Sequence, residues 1–243
     1  MLPQRPHKNL DDDLVAMVRN RVAQDFDRRI VAHDLSHLDR VARLAKRIAE
    51  AEAHDTIAPQ LVAYVHDYHR IAESELGRQV DSTEVIPRIH DLLTDLAVPA
   101  DTVTEIEHAV LFNEKYTIKG HQLSDGSTTA KITRDADKLD AIGAIGIARA
   151  FMYGGASSAE LWDPTAELQE TYKSGPTTSV IAHFYEKLLR LPNEMLTNTG
   201  KHLAEKRTAY LIDFLRRFHQ EWGDESSAPI NREEFRTHPT AAS

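Results

Sequence analysis

Leu61-Val62-Ala63-Tyr64-Val65-His66-Asp67 sets five apolar residues in front of an imidazole and a carboxylate. An apolar run that short is ambiguous between strand and buried helix, but Thr56 and Pro59 upstream suggest a helix start, with Pro accepted in a first turn. The run therefore reads as a helix ending on two polar side chains that need a reason to be there. Moving toward the N-terminus, Leu38, Val41, Leu44, Ala45 and Ile48 recur at spacings of three and four, while Lys46, Arg47 and Glu50 fill the other face. This predicts an amphipathic helix from Leu35 to about Ala53, with Asp34 or Ser36 near its cap. His37 lies on its apolar stripe with positions 41, 44 and 48.

The same period predicts helices over Leu14 to Ile30, Val85 to Leu96, Thr102 to Phe112, Ala130 to Phe151, Ser179 to Leu189, and Thr199 to Trp222. The last carries Leu203, Tyr210, Phe214, Leu215 and Phe218. No segment reads as a strand, so the expected class is all-α. Tyr116 to Thr129 and Asp163 to Thr178, with their Gly, Pro and Ser/Thr, read as loops. The expected organisation is a single domain over 10–223, followed by a tail over 224–243 without periodicity.

Composition narrows the chemistry. The chain has 243 residues, 41% of them hydrophobic, enough for a substantial core. It has no cysteine, so any metal must be held by His, Asp or Glu. A formal net charge of −9 argues against a broad nucleic-acid surface, although a local basic pocket for a small phosphate ester remains compatible. No apolar run approaches the ~18 residues of a membrane span, and the start of the chain lacks a secretory pattern. The expectation is a cytoplasmic protein.

His37 and the His66-Asp67 pair, twenty-nine residues apart, point toward a common interior. Two buried imidazoles and a carboxylate are costly unless each is bonded, and one divalent cation satisfies all three. Ordinary hydrogen-bonded core histidines are the competing reading. A fourth ligand is sought in Arg134-Asp135-Ala136-Asp137-Lys138-Leu139-Asp140-Ala141, where three acids compete. Asp137 is favoured because one long helix would align it with Ala141, Ala144, Ala148 and Phe151. Asp135 and Asp140 suit capping, ion-pair or supporting roles better. His33-Asp34 is set aside as a second His-Asp dipeptide that precedes a helix.

Taken together, 33–41 (HDLSHLDRV), 65–67 (VHD), 135–149 (DADKLDAIGAIGIAR) and 182–189 (AHFYEKLL) resemble the HD-domain superfamily of metal-dependent phosphohydrolases. They are most similar to its compact bacterial members acting on nucleotides as phosphohydrolases or pyrophosphohydrolases. The likeness runs from about Val15 to Trp222. It implies an HD-domain helical bundle with additional C-terminal helices, and one divalent ion (manganese, nickel, cobalt, magnesium, iron or zinc) held by His37, His66, Asp67 and Asp137. It also implies a small phosphorylated substrate, with a nucleotide expected, and allows an oligomer. Asp67, Arg70 and Lys138 are the candidate catalytic residues, Asp67 for water and the two cations for phosphoryl charge. Arg40 and Lys115 are weaker candidates for phosphoryl charge, and Asp34 for supporting a ligand histidine.

Two departures stand out. Arg70 occupies a place where relatives commonly carry an acid, and Phe112-Asn113-Glu114 stands where they usually carry His-Ser. Two other activities fit the same pattern. An HD-fold di-iron oxygenase would draw further histidines from His90, His108 and His121, and a binding protein would keep the fold without chemistry.

Overall fold

The computed structural model describes residues 10–26, 33–113, 125–166, 168 and 179–223. Among these residues there is no strand; helices α1 (Leu10–Asp25), α2 (Leu35–Ala51), α3 (Ile57–Val65), α4 (Tyr68–Leu76), α5 (Ser82–Asp95), α6 (Ala100–Asn113), α7 (Thr128–Asp140), α8 (Gly143–Ala156), α9 (Val180–Glu186) and α10 (Asn198–Trp222) follow in order. A 3-10 helix, Leu188–Glu194, separates α9 from α10. The expected tail, Lys115, His121 and most of both expected long loops lie outside the described residues.

The chain divides into two compact units, 1–136 and 137–243, with the division falling inside α7. In the first unit α3 is the central element. Ala58 through Val65 are all buried, as expected of a helix apolar on every side, and α1, α2 and α6 pack around it. Helix α2 supplies Leu38, Val41, Leu44 and Ile48, each buried and each contributing about 1.5–3 kcal/mol relative to exposure. Asp34 starts α2, its Oδ1 accepting from the His37 backbone N–H at 3.0 Å. In the second unit α8 and the 3-10 helix pack on α9 and α10, and Phe214 joins Phe184 (5.7 Å between ring centres) and Phe151 (6.0 Å). Tyr210, on the same helix, is 54% exposed and takes no part.

One expectation is corrected here. The long helix from Ala130 to Phe151 is two helices, broken at Ala141-Ile142. Gly143 adopts φ +79, in the left-handed region that favours glycine, and a Cβ on Gly146 would fall 2.2 Å from the Ala141 carbonyl oxygen. Both glycines allow the turn; the period of small residues continues across it and conceals it. Gly146→Ala is therefore expected to lower unfolding free energy by about 2 kcal/mol, read as a shift of the urea midpoint. Gly155→Ala, where nothing lies within 4 Å, is expected to be neutral or slightly stabilising. Equal midpoints for the Gly146 variant and the wild type would refute this account of the turn.

Candidate metal centre

Helix α2 places His37 in its first turn with the side chain fully buried. Helix α3 ends at Val65, and the chain turns through His66 and Asp67 before α4 begins at Tyr68. The pair thus occupies a helix-to-helix turn at the end of the most apolar helix of its unit. His66 Nδ1 lies 2.8 Å from the Ala63 carbonyl oxygen. A carbonyl only accepts, so Nδ1 carries the hydrogen, and Nε2 of the neutral ring presents a lone pair.

That lone pair lies 3.5 Å from Asp67 Oδ2, and His37 Nε2 lies 3.4 Å from the same oxygen. His37, His66 and Asp67 are 0%, 6% and 4% exposed. Nitrogen lone pairs facing a carboxylate in so dry a place repel one another unless positive charge sits among them, and a divalent cation meets all three donors at once. The donor set fits such an ion. Burial would raise the Asp67 carboxyl, but whenever these rings carry protons instead of facing an ion, the charge of His66 and His33 and hydrogen bonding from His33 and His37 hold it well below the usual carboxylate range; with neutral rings a bound cation would supply that positive charge.

Asp137, half-buried, is carried by α7, which runs unbroken from Thr128 to Asp140. One ligand atom each from His37, His66 and Asp137 lies within 4.8 Å of the others, and His33, His37 and Asp67 form a second such group. Donors about 2.1 Å from a common ion sit roughly 3.0–4.2 Å apart, and the 3.4 and 3.5 Å that separate His37 and His66 from Asp67 fall in that range. The four residues expected as ligands all fall in these two groups. The helical face offered for choosing Asp137 does not exist past Asp140, so Asp137 joins the histidines through α7 alone. Asp140 pairs with Arg149 at 3.0 Å, an ion-pair role as anticipated, and Asp135 is fully buried yet belongs to neither group.

Other expected residues are placed as follows. Asp34 caps α2, accepting from the His37 backbone and from Ser36 Oγ. Arg40 donates to Ser36 Oγ at 3.0 Å. Arg70 donates to Glu73 at 2.9 Å, and the Lys138 ammonium is paired with Glu194. His90 meets Glu107 at 2.7 Å on an exposed surface, His108 is exposed, and neither enters a candidate ligand group among the described residues. The residue missed by the sequence reading is His33, whose Nδ1 lies 2.7 Å from Asp67 Oδ2. His33 lies ahead of α2 and its cap Asp34, outside the helical period, so no periodic signal in the sequence marks it.

No model of a known protein family matches the sequence. The chain is 33% identical over 192 residues, covering 78% of itself and 84% of the relative, to the uncharacterized protein YpgQ of Bacillus subtilis. The crystal structure of YpgQ in complex with ADP is similar at a TM-score of 0.66 and 29% identity, over 88% of this chain and 97% of that one. An HD-superfamily hydrolase from Bacillus thuringiensis is similar at a TM-score of 0.67 and 29% identity, over 88% of this chain and all 100% of its own. Likeness of that extent to a curated relative and to a solved HD hydrolase shows that this chain belongs to the HD superfamily of hydrolases.

Proposed function

We propose that the protein is a metal-dependent phosphohydrolase acting on a small nucleotide, cleaving a phosphate ester or anhydride, with residues 10–223 as its functional domain. The observation that carries this is the approach of His37 and His66 to Asp67, buried together, with Asp137 in ligand range of both histidines. ADP in the YpgQ crystal structure supports a nucleotide as substrate class. Among the described residues no helix is long and apolar enough to cross a membrane, which fits a protein handling a small dissolved substrate in the cytoplasm.

In this reading His37, His66, Asp67 and Asp137 hold one divalent ion. When bound, such an ion polarises a phosphoryl oxygen and makes water a nucleophile near neutral pH, so no covalent intermediate is needed. Asp67 orients the attacking water through its carboxylate. Arg70 and Lys138 neutralise phosphoryl charge; each now holds a carboxylate, Glu73 and Glu194 respectively, so a phosphate would compete for cations already suited to anions.

The test is a panel of nucleoside mono-, di- and triphosphates, with manganese, cobalt or magnesium added and phosphate and pyrophosphate release followed separately. Hydrolysis that requires the ion and stops with chelator is the expected result. A protein that binds the ion tightly yet hydrolyses no member of the panel is a binding protein, and the proposal is then wrong.

A further inference from the structure

The turn that carries Asp67 does not hold its carboxylate alone. An aspartate's terminal torsion is soft, with no sharp preferred angle, so the plane of the carboxylate is set by what it bonds to. Asp67 Oδ2 faces His37 Nε2 at 3.4 Å and His66 Nε2 at 3.5 Å, but its shortest contact among the three imidazoles is His33 Nδ1 at 2.7 Å. An ionised carboxylate only accepts, so His33 Nδ1 donates. That hydrogen bond takes one lone pair of Oδ2 and restrains rotation of the group, leaving another lone pair for a cation. The His33 ring also stands edge-on to His37, with centres 5.2 Å apart and planes at 75°, so the same imidazole braces two candidate ligands.

We propose that His33 is a positioning residue of the metal centre, fixing the orientation of the Asp67 carboxylate by donating from Nδ1. This rests on the metal-centre reading given above. A rival role, direct ligation by His33, is disfavoured by the same distance. Two atoms bound side by side to one ion at about 2.1 Å stand roughly 3.0 Å apart, whereas 2.7 Å is the length of a charge-assisted hydrogen bond. Hydrogen-bond partners behind metal ligands are commonly worth about 10–100-fold in metal affinity.

The experiment is calorimetric titration of manganese into metal-free wild type, His33→Ala, His33→Asn and His33→Leu, each checked for a comparable thermal midpoint without metal. His33→Ala is expected to weaken the manganese dissociation constant by about 10–100-fold. His33→Asn, whose amide N–H stands in the place of Nδ1–H, is expected to recover most of that loss, whereas His33→Leu, which fills the space without a donor, is not. Equal affinity in His33→Ala and wild type overturns the role of His33 while leaving the metal centre in place. Equally weak binding by Ala and Asn variants makes His33 a ligand and overturns the positioning role. Wild type that binds no manganese overturns both readings, and the nucleotide panel tests hydrolysis separately.

Discussion

Asp67→Ala is expected to abolish both metal retention and hydrolysis. The carboxylate is where the three histidines meet: His33 at 2.7 Å, His37 at 3.4 Å and His66 at 3.5 Å from Oδ2. Removing it takes one of two carboxylates from the donor set and leaves two neutral imidazoles with Asp137 alone to balance a doubly charged ion. The loss of affinity should exceed the roughly 10–100-fold typical of a partner behind the ligands. Because the same carboxylate is proposed to orient water, kcat/KM should fall on the order of 10³, about 4 kcal/mol. Metal content after dialysis and turnover with saturating manganese check the two effects separately. Asp39→Asn is the control; that carboxylate is also partly buried but is committed to Arg19 and Tyr64, outside both candidate ligand groups. Full metal content and full turnover in Asp67→Ala would remove this residue, and with it the proposed centre.

The parts of this architecture that are legible in the sequence are those written in period and spacing. The α2 stripe through Leu38, Val41 and Ile48, and the cap at Asp34, suffice to put His37 inside, and the all-helical class follows from the same period elsewhere. What period and spacing do not carry depends on the backbone or on a meeting in space. Gly143 and Gly146 sit in a run of small residues that keeps helical period, so the break at Ala141-Ile142 is visible only in φ and in the distance to a carbonyl. The resumption of helix at Tyr68 is likewise hidden, because Asp67 and Arg70 look like the end of one helix when they begin another. His33 lies ahead of a helix, where a His-Asp dipeptide attracts no weight, yet its contact with Asp67 spans thirty-four positions. Periodicity within one segment carries no information about such a contact. The four candidate ligands are readable because each falls in a motif that resembles a known family, and burial then explains why polar residues are tolerated in those places.

A second large effect should appear in the acid stability of the fold. His183, half-buried on α9, has its pKa brought down to about 4, first by burial and then by the charge of Lys187. In the unfolded chain a histidine titrates near its ordinary value of about 6.5. Between those values the unfolded state binds the extra proton and the folded state does not, so stability rises with pH in that window. The contribution is complete above about 6.5 and is lost as pH falls toward about 4. A full difference of that size would be about 3 kcal/mol, and the solvent reaching a half-buried ring reduces it to about 2 kcal/mol. His183→Gln removes the titration and is expected to flatten the stability profile by that amount between pH 7 and 4.5, measured by urea unfolding. Any hydrogen bond lost with the imidazole shifts the variant's curve by a constant; the slope is what reports the proton. Metal binding also releases protons, so both proteins are compared with excess chelator, which keeps His37 and His66 out of the difference. Parallel curves for wild type and variant would mean that His183 titrates alike in the folded and unfolded chains, and burial would then not be acting on this ring as described.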